Sequence, residues 1–374
     1  MRYKLLGRTG LRVSELCLGT MTFGEAWGWG TDARESARIL DRFAEAGGNF
    51  VDTANIYTGG ESEHILGDLV RSDRERWVLA TKYALSTDPH DPNAGGAHRK
   101  SLVRALDASL ERLGTDYIDL YWIHAWDAFT PVDEVVRALD DLVTSGKVRY
   151  VGVSDTPAWV VSQATTLADL RGWNRFAGLQ VPYSLIERTC ERDLLPMAHD
   201  LDLTVTTWGP LGGGFLSGRY GTDRQRPTDS RIEQDAGYNA RSITDRNLAI
   251  ADALNAIAEN REVPASQIAL AWVLAQRERA VLVPVIGARR ADQLDTMSAV
   301  DIVLTSAELG ALEQVSSIPL GFPHDFEGRN LVYGDALGLI DDHRRTSLIR
   351  TDSTETGVPE PPQHQKASTA TVVP

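Results

Sequence analysis

Cysteine is nearly missing from this chain. Two cysteines in 374 residues, Cys17 and Cys190, cannot build a disulfide framework. Cys17, inside Leu16-Cys17-Leu18, reads as a small buried hydrophobe. Long apolar runs are missing too. No stretch reaches the roughly 18 apolar residues of a membrane-spanning helix. The start, Met1-Arg2-Tyr3-Lys4, lacks the apolar core of a signal peptide, so the expected location is cytoplasmic. Positive charge is scarce: 38 basic residues face 52 acidic ones, a net charge of −14. Phosphate backbones and anionic membrane surfaces select concentrated Lys and Arg, so neither nucleic acid nor membrane is expected as a partner. Eight histidines occur without ligand-pair spacing, and no metal site is expected. No Gly-x-Gly-x-x-Gly follows the first strand, which excludes a Rossmann-type binder. No internal repeat of solenoid length is present.

What is present is an ordinary globular composition, 42% hydrophobic and 24% charged, in a chain long enough for a large core. Residues 2–14 read as a small hairpin around Gly7-Arg8-Thr9-Gly10. Apolar strands are predicted over 15–18, 50–51, 77–80, 117–123, 148–153, 178–181, 203–206 and 281–285. Amphipathic helices alternate with them: from about 31 to Gly47, then over 61–70, 99–113, 131–146, 157–170, 192–201, 244–259, 266–276 and 291–298, with one more over 306–315. In the fourth of these, Thr130-Pro131 suits the N-cap and first helical positions, and Gly146 closes it. Eight strand–helix repeats predict an α/β fold, a parallel (β/α)8 TIM barrel with an N-terminal β-hairpin and extra C-terminal helices. One barrel domain is expected over 1–330. Residues 331–374 form an extension, polar and Pro-rich, expected to be disordered from about 345.

In such a barrel, function gathers where strands end. Strand two ends at Asp52, and Tyr57 follows in Asp52-Thr53-Ala54-Asn55-Ile56-Tyr57. Strand three ends at Thr81-Lys82, strand four at His124, and strand five at Ser154-Asp155. Strand six ends near Gln180 and strand seven at Trp208. Taken singly, each has an ordinary reading: a snorkelling lysine, a rim histidine, a turn-capping aspartate, a tyrosine in a pocket wall. Four of them converging on one rim from neighbouring strands points to proton-transfer chemistry.

These residues lie within motifs that together resemble the aldo-keto reductase superfamily. They are Leu18-Gly19-Thr20, Asp52-Thr53-Ala54 with Tyr57, Thr81-Lys82, the run 113–120 leading to His124, Gly152-Val153-Ser154, and Pro210-Leu211-Gly212-Gly213-Gly214. The resemblance covers residues 3–327. Ser154-Asp155-Thr156-Pro157-Ala158-Trp159 resembles the branch that holds aryl-alcohol dehydrogenases and general bacterial reductases. The resemblance implies NADP(H)-dependent reduction of an aldehyde or ketone. Tyr57 would be the general acid and Lys82 would lower its pKa. Asp52 would hold Lys82, and His124 would orient the substrate oxygen.

No side chain donates a hydride, so a nicotinamide cofactor is required. By resemblance Trp208 would stack on its ring, and Ser154, Asp155 and Gln180 would hold its carboxamide. Gly19, Thr20 and Met21 would line the floor. Gly209, Pro210, Leu211, Gly213, Gly218 and Arg219 would cover the pyrophosphate. Gly287, Arg289 and Gln293 would meet the 2′-phosphate end, since arginines at a helix start suit NADP over NAD. Five positions depart from the family's common pattern: Asp155 for Asn, Trp208 for Tyr or Phe, Gly209 for Ser, and Thr296 and Met297 for a Glu and an Asn. Trp27, Trp29, Tyr83 and Trp126 would form an aromatic mouth for a flat or apolar carbonyl compound. Two alternatives share the tetrad: a cofactor-binding regulatory subunit resembling potassium-channel β subunits, and a sugar-nucleotide keto or enoyl reductase.

Overall fold

The structure is a computed structural model, and it describes residues 1–228, 230, 232, 242–326, 332 and 334–339. Residues 229, 231 and 233–241 of the polar segment, and the stretch expected to be disordered from about 345, lie outside the described residues.

Strands β1 (Tyr3–Leu5) and β2 (Arg12–Ser14) pair antiparallel as the expected hairpin. Among the described residues, eight parallel strands then close a barrel: β3 (Cys17–Gly19), β4 (Phe50–Asp52), β5 (Val78–Tyr83), β6 (Ile118–Ile123), β7 (Val148–Ser154), β8 (Phe176–Pro182), β9 (Thr204–Trp208) and β10 (Val281–Ile286). Strand β10 pairs with β3 to complete the ring. This is the (β/α)8 architecture read from the alternation of strands and helices. The first barrel strand starts two residues later than the sequence suggests. The Ser14 hydroxyl donates to the Leu16 carbonyl and Glu15 N–H donates to Arg2, so residues 14–16 serve the hairpin first.

The barrel interior is packed. Phe50, Ala80, Leu120, Trp122 and Val283 meet Leu6 and Val13 of the hairpin segment, which plugs the lower end. Gly7 N–H donates to Thr204 Oγ1 at 2.7 Å and Lys4 Nζ donates to the Leu282 carbonyl at 2.5 Å, bolting the plug to β9 and β10. Trp122 is the largest of these side chains and is fully buried. Two glycines make room for it. A Cβ on Gly152 would lie 2.3 Å from the indole, and one on Gly178 would lie 2.9 Å from it.

The outer layer comprises α1 (Ala33–Glu45), α2 (Glu61–Val70), α3 (Arg99–Leu113), α4 (Val132–Thr144), α5 (Ala158–Arg171), α6 (Leu194–Asp200), α7 (Asp245–Asn260), α8 (Ala265–Ala275) and α9 (Ser306–Ser316). Helix α1 is capped by Asp32, whose side chain accepts from Glu35 N–H. In α4 the cap falls one residue later than expected: Pro131 is the N-cap and Val132 the first helical residue. The Thr130 hydroxyl is already engaged by Asp127, at 2.5 Å. Residues 291–298, expected as a regular helix, lie within a 3₁₀ segment, Ala291–Asp301. Asp292, Asp295, Thr296, Ser298 and Asp301 are weak helix formers whose short polar side chains compete for backbone groups. Helix α9 is tied to the barrel by buried Arg188, which pairs with Glu191 and Glu313 at 2.8 Å each. No helix among the described residues is long and apolar enough to cross a membrane.

Candidate active site

The site is built on the turn after β4. Residues Thr58, Gly59 and Gly60 all have positive φ, at 48°, 67° and 96°. Thr58 is the strained member, since a β-branched residue avoids this region. Its hydroxyl donates to the Phe23 carbonyl at 2.8 Å and accepts from Ser62 N–H at 3.0 Å, which holds the turn in place. The preceding residue is thereby aimed over the barrel mouth, and that residue is Tyr57.

Lys82 projects from β5, where register sets it beside Trp122 of β6 and two residues beyond Ala80, the partner of Asp52. Its ammonium is fully buried and uses all three donors. It donates to the Asp52 carboxylate, to the Thr53 carbonyl at 2.8 Å and to the Tyr57 hydroxyl at 3.1 Å. His124 follows β6, held by its N–H to the Tyr83 carbonyl at 2.8 Å. Its ring meets Tyr57 edge-on, centroids 5.9 Å apart. The four residues predicted from sequence are thus brought together.

Their electrostatics differ in one respect from expectation. Burial pushes the Tyr57 hydroxyl above its ordinary value. The nearby Lys82 charge pulls it back only in part, and Asp52 and Asp155 oppose that pull. The expected net lowering by Lys82 is therefore reversed at rest, because burial of the phenol outweighs the pull of Lys82, with Asp52 and Asp155 adding to it. Burial would lower the Lys82 pKa, yet Asp52 and Tyr57 outweigh it and hold the ammonium charged well above the usual lysine range. Burial also raises the Asp52 carboxyl, against the attraction of Lys82. His124 is pushed down to about 3 by burial and by Lys82, so its imidazole is neutral near pH 7. Among the described residues its Nδ1 is buried without a hydrogen-bond partner.

The neighbouring strand ends supply a second group. Asp155 has φ 43°, its N–H donates to the Gln180 carbonyl at 3.2 Å, and its carbonyl accepts from Trp126 N–H at 3.3 Å. Its carboxylate accepts from Trp208 Nε1 at 3.1 Å. Asp155 is exposed at the rim, yet the surrounding strand ends desolvate its carboxyl and, against Trp208 and Lys82, push its pKa up to about 6. Ser154 is buried beside it on β7. Gln180 turns inward, its amide donating to Asp52 at 3.3 Å, so that donor is committed to the tetrad.

Thr20 also differs from expectation. It is fully buried, and both its N–H and its hydroxyl donate to the Asp52 carbonyl, at 2.9 and 3.3 Å. It fastens β4 instead of lining an open floor. Gly19, half-buried, allows the close approach of β10, since a Cβ there would lie 2.8 Å from Val285. Met21 is half-buried just beyond.

After β9 the backbone runs through Gly209, buried Pro210 and Leu211 into the 3₁₀ turn Gly212–Ser217. Gly209, Gly212, Gly213, Gly214 and Gly218 all have φ between 57° and 100°. Only glycine takes such a run without strain, and the positions beside Gly209 and Gly214 are open space. Exposed Arg219 follows. Across the rim lie Gly287 and Arg289. Gln293 Oε1 accepts from the backbone N–H groups of Arg289 and Arg290, at 2.7 and 3.2 Å. Arg290 is paired with Asp292 at 3.1 Å, whereas the Arg289 guanidinium makes no ion pair among the described residues. Thr296 bonds Ser266 at 3.1 Å and Met297 is buried, so both face the protein. A strand-end rim, an indole face and a glycine-lined backbone cradle fit an extended dinucleotide.

Of the aromatic residues expected at the mouth, Trp27 and Trp29 lie on the Tyr57 side, and Trp126 lies beside Asp155 through its backbone N–H. Trp27 lies 5.6 Å from Trp29 and 6.4 Å from Tyr57, ring centre to ring centre. Tyr83 does not belong to the mouth. It is fully buried on the outer side of β5, stacked on Tyr121 at 5.1 Å. The alternation of a strand puts Lys82 and Tyr83 on opposite faces, which was available from the sequence. Three contributors were missed. Trp159 packs edge-on against Trp126 at 6.1 Å and is 62% exposed. Phe129 is 96% exposed on the same loop as Trp126. The Glu61 carboxylate accepts from Glu25 and Ala26 N–H, at 2.9 and 3.1 Å, and so clasps the Trp27 loop. Among the described residues no cluster of three or more His, Cys, Asp or Glu forms a metal site.

Comparison with known proteins agrees with this geometry. Residues 15–317 match the aldo/keto reductase family model. The chain is 39% identical over 337 residues to norsolorinic acid reductase B of Aspergillus parasiticus, covering 87% of each chain. It is 36% identical over 341 residues to an aryl-alcohol dehydrogenase of Pestalotiopsis microspora, covering 87% of this chain and 85% of the relative. It has the same identity and coverage with the aldo-keto reductase ausK of Aspergillus calidoustus. A closed parallel barrel, a tyrosine–lysine–aspartate–histidine cluster at its mouth and a family match over most of the length lead to one conclusion: the chain belongs to the aldo/keto reductase family of oxidoreductases.

Proposed function

We propose that this protein reduces an aryl aldehyde or aryl ketone to the alcohol at the expense of NADPH. The observation that carries the reading is the Lys82 ammonium, fixed by Asp52 and 3.1 Å from the Tyr57 hydroxyl. The bound nicotinamide supplies the hydride that reaches the carbonyl carbon. Ser154, Asp155 and the indole face of Trp208 would hold its ring end, the glycine backbone of 209–218 its pyrophosphate, and Arg289 its 2′-phosphate.

Carbonyl reduction also needs a proton on oxygen. Tyr57 is protonated at rest, because its hydroxyl sits above the ordinary value. As negative charge grows on the substrate oxygen, the phenol gives up its proton to it. The phenolate left behind faces Lys82, whose charge is already in place and needs no reorganisation. Neutral His124 offers a ring N–H to the same oxygen and cannot itself become the acid, since its imidazole is neutral near pH 7. Asp52 moves no proton; it keeps Lys82 charged and aimed. The exposed indoles of Trp27 and Trp126 flank the mouth and suit a flat ring system. The relatives named for norsolorinic acid and for aryl alcohols support the same substrate class.

The test is oxidation of NADPH, followed by absorbance, with aromatic and aliphatic aldehydes and ketones. Tyr57→Phe is expected to lower kcat by ~10²–10⁴-fold, the range for loss of a positioned general acid. NADPH binding, read by tryptophan fluorescence, is expected to persist. Wild-type turnover in Tyr57→Phe would end the reading.

A further inference from the structure

We propose that the Asp155 carboxylate makes this site discriminate between the two redox forms of the nicotinamide, holding the oxidised, cationic ring more tightly than the reduced one. This rests on the reading above that a nicotinamide dinucleotide is the hydride donor.

The inference comes from a charge count at the barrel mouth. Lys82 and Asp52 are both buried and cancel each other. All three Lys82 donors are spent on Asp52, Thr53 and Tyr57, so none remains for a further carboxylate. His124 is neutral and Tyr57 is protonated near pH 7. That leaves Asp155. Among the described residues no basic side chain forms an ion pair with it, and its side-chain partner is the uncharged indole N–H of Trp208, at 3.1 Å. It is the surplus negative charge beside the reacting groups; Glu61, another carboxylate of the mouth, is turned to the Glu25 and Ala26 N–H groups.

Its position is fixed from three sides. Its backbone is bonded to Gln180 and to Trp126, and its side chain to Trp208. Its field reaches the reacting centre, because it is one of the charges that raise the Tyr57 hydroxyl. A hydride donor must lie next to the carbon whose oxygen meets Tyr57 and His124, hence within the same field. Loss of a hydride leaves a nicotinamide ring with one positive charge. Asp155 is exposed at the rim, so the attraction acts where a bound ring would cover the carboxylate and displace its water. The reduced ring carries no such charge and gains nothing from it. The same preference pulls the enzyme-bound equilibrium toward alcohol and oxidised cofactor.

Purified full-length protein is titrated separately with NADP⁺ and NADPH at pH 8, reading tryptophan fluorescence. Asp155→Asn keeps an oxygen acceptor for Trp208 and removes the charge. The ratio Kd(NADP⁺)/Kd(NADPH) is expected to rise at least ~10-fold in the variant, chiefly through weaker NADP⁺ binding, equivalent to about 1.4 kcal/mol. A second arm varies pH. In the wild type the same ratio is expected to rise on going from pH 8 to pH 5, as the carboxyl protonates at about 6. Lys82 and Tyr57 lie above that window and His124 below it; Asp52 is also raised by burial, and Asp155→Asn, which keeps Asp52, is expected to lose the rise. The cofactor 2′-phosphate does titrate near 6, but equally in both forms, so it cancels in the ratio. A ratio unchanged both in Asp155→Asn at pH 8 and in the wild type at pH 5 overturns the proposal. If that variant does not fold, Asp155→Ser takes its place in both arms. Binding of neither form by the wild type overturns the nicotinamide reading itself, a result distinct from binding without discrimination.

Discussion

Removing the Lys82 charge exposes how the site is paid for electrostatically. In Lys82→Met the Asp52 carboxyl, 2% exposed, loses its ion pair and is left with uncharged donors such as the Gln180 amide. Breaking a buried pair from one side costs ~3–5 kcal/mol, because the remaining charge is stranded. The structure predicts the pH dependence of that cost. Burial already raises Asp52 in the wild type, and the Lys82 charge and hydrogen bond are the leading opposing forces. Without them its folded-state pKa climbs further above the unfolded value. A carboxyl raised in the folded state binds more protons there than in the unfolded chain, so stability falls as pH rises. The added penalty of the variant therefore accumulates upward from the wild-type Asp52 pKa, by at most ~1.4 kcal/mol per pH unit, and levels off above the variant's own pKa. Lys82 itself adds no slope below about pH 9, since it is charged in both states there. Urea unfolding of wild type and Lys82→Met at pH 5, 6, 7 and 8 reads this directly as a shift in midpoint. The double variant Lys82→Met/Asp52→Asn removes the titrating group and is expected to lose the pH dependence. A constant penalty across the range, or a double variant as pH-sensitive as the single, would refute the reasoning.

Other outcomes follow from particular contacts. Arg289→Ala is expected to raise the KM for NADPH ~10-fold or more and to leave that for NADH nearly unchanged, whereas Arg290→Ala, already paired with Asp292, changes neither; steady-state kinetics with both cofactors decides. Gly152→Ala places a methyl 2.3 Å from the Trp122 ring in a core without space, at a cost of ~1–3 kcal/mol in urea unfolding. The kcat profile between pH 5 and 8 is expected to show no ionisation from His124, whose pKa lies at about 3; a His124→Gln variant that removes a titration near pH 6 would contradict this.

Much of the architecture was readable because its signals are local. Apolar strands alternating with amphipathic helices give eight repeats, and the chemistry sits at the strand ends where such barrels place it. Asp52, Tyr57, Lys82 and His124 were legible for that reason. What sequence missed depends on three-dimensional facts. Thr20 and Gln180 look like rim residues by position, yet both are spent on Asp52. Tyr83 was misplaced by adjacency to Lys82, although strand alternation turns it outward. Trp159 belongs to a helix that meets the mouth only after folding. The direction of the Tyr57 shift could not be read from a list of neighbours. It depends first on the depth at which the phenol lies and then on how far Asp52 offsets the pull of Lys82.

The two aromatic walls of the mouth are not mechanically equivalent. Trp27 rides on a loop clasped by Glu61, the first residue of α2, and Thr58 ties the catalytic turn to the same loop through Phe23. Tyr57, the proposed acid, and the proposed near wall are therefore tied together, so a displacement of Trp27 is expected to carry Tyr57 with it. Trp126 and Trp159 rest on a different loop and helix, with no bond to that turn among the described residues. Substitutions that enlarge or reshape the mouth can accumulate on this far side without disturbing proton transfer, whereas the same changes near Trp27 alter substrate range and catalytic rate together. Diversification of substrate choice on this scaffold is channelled to one wall.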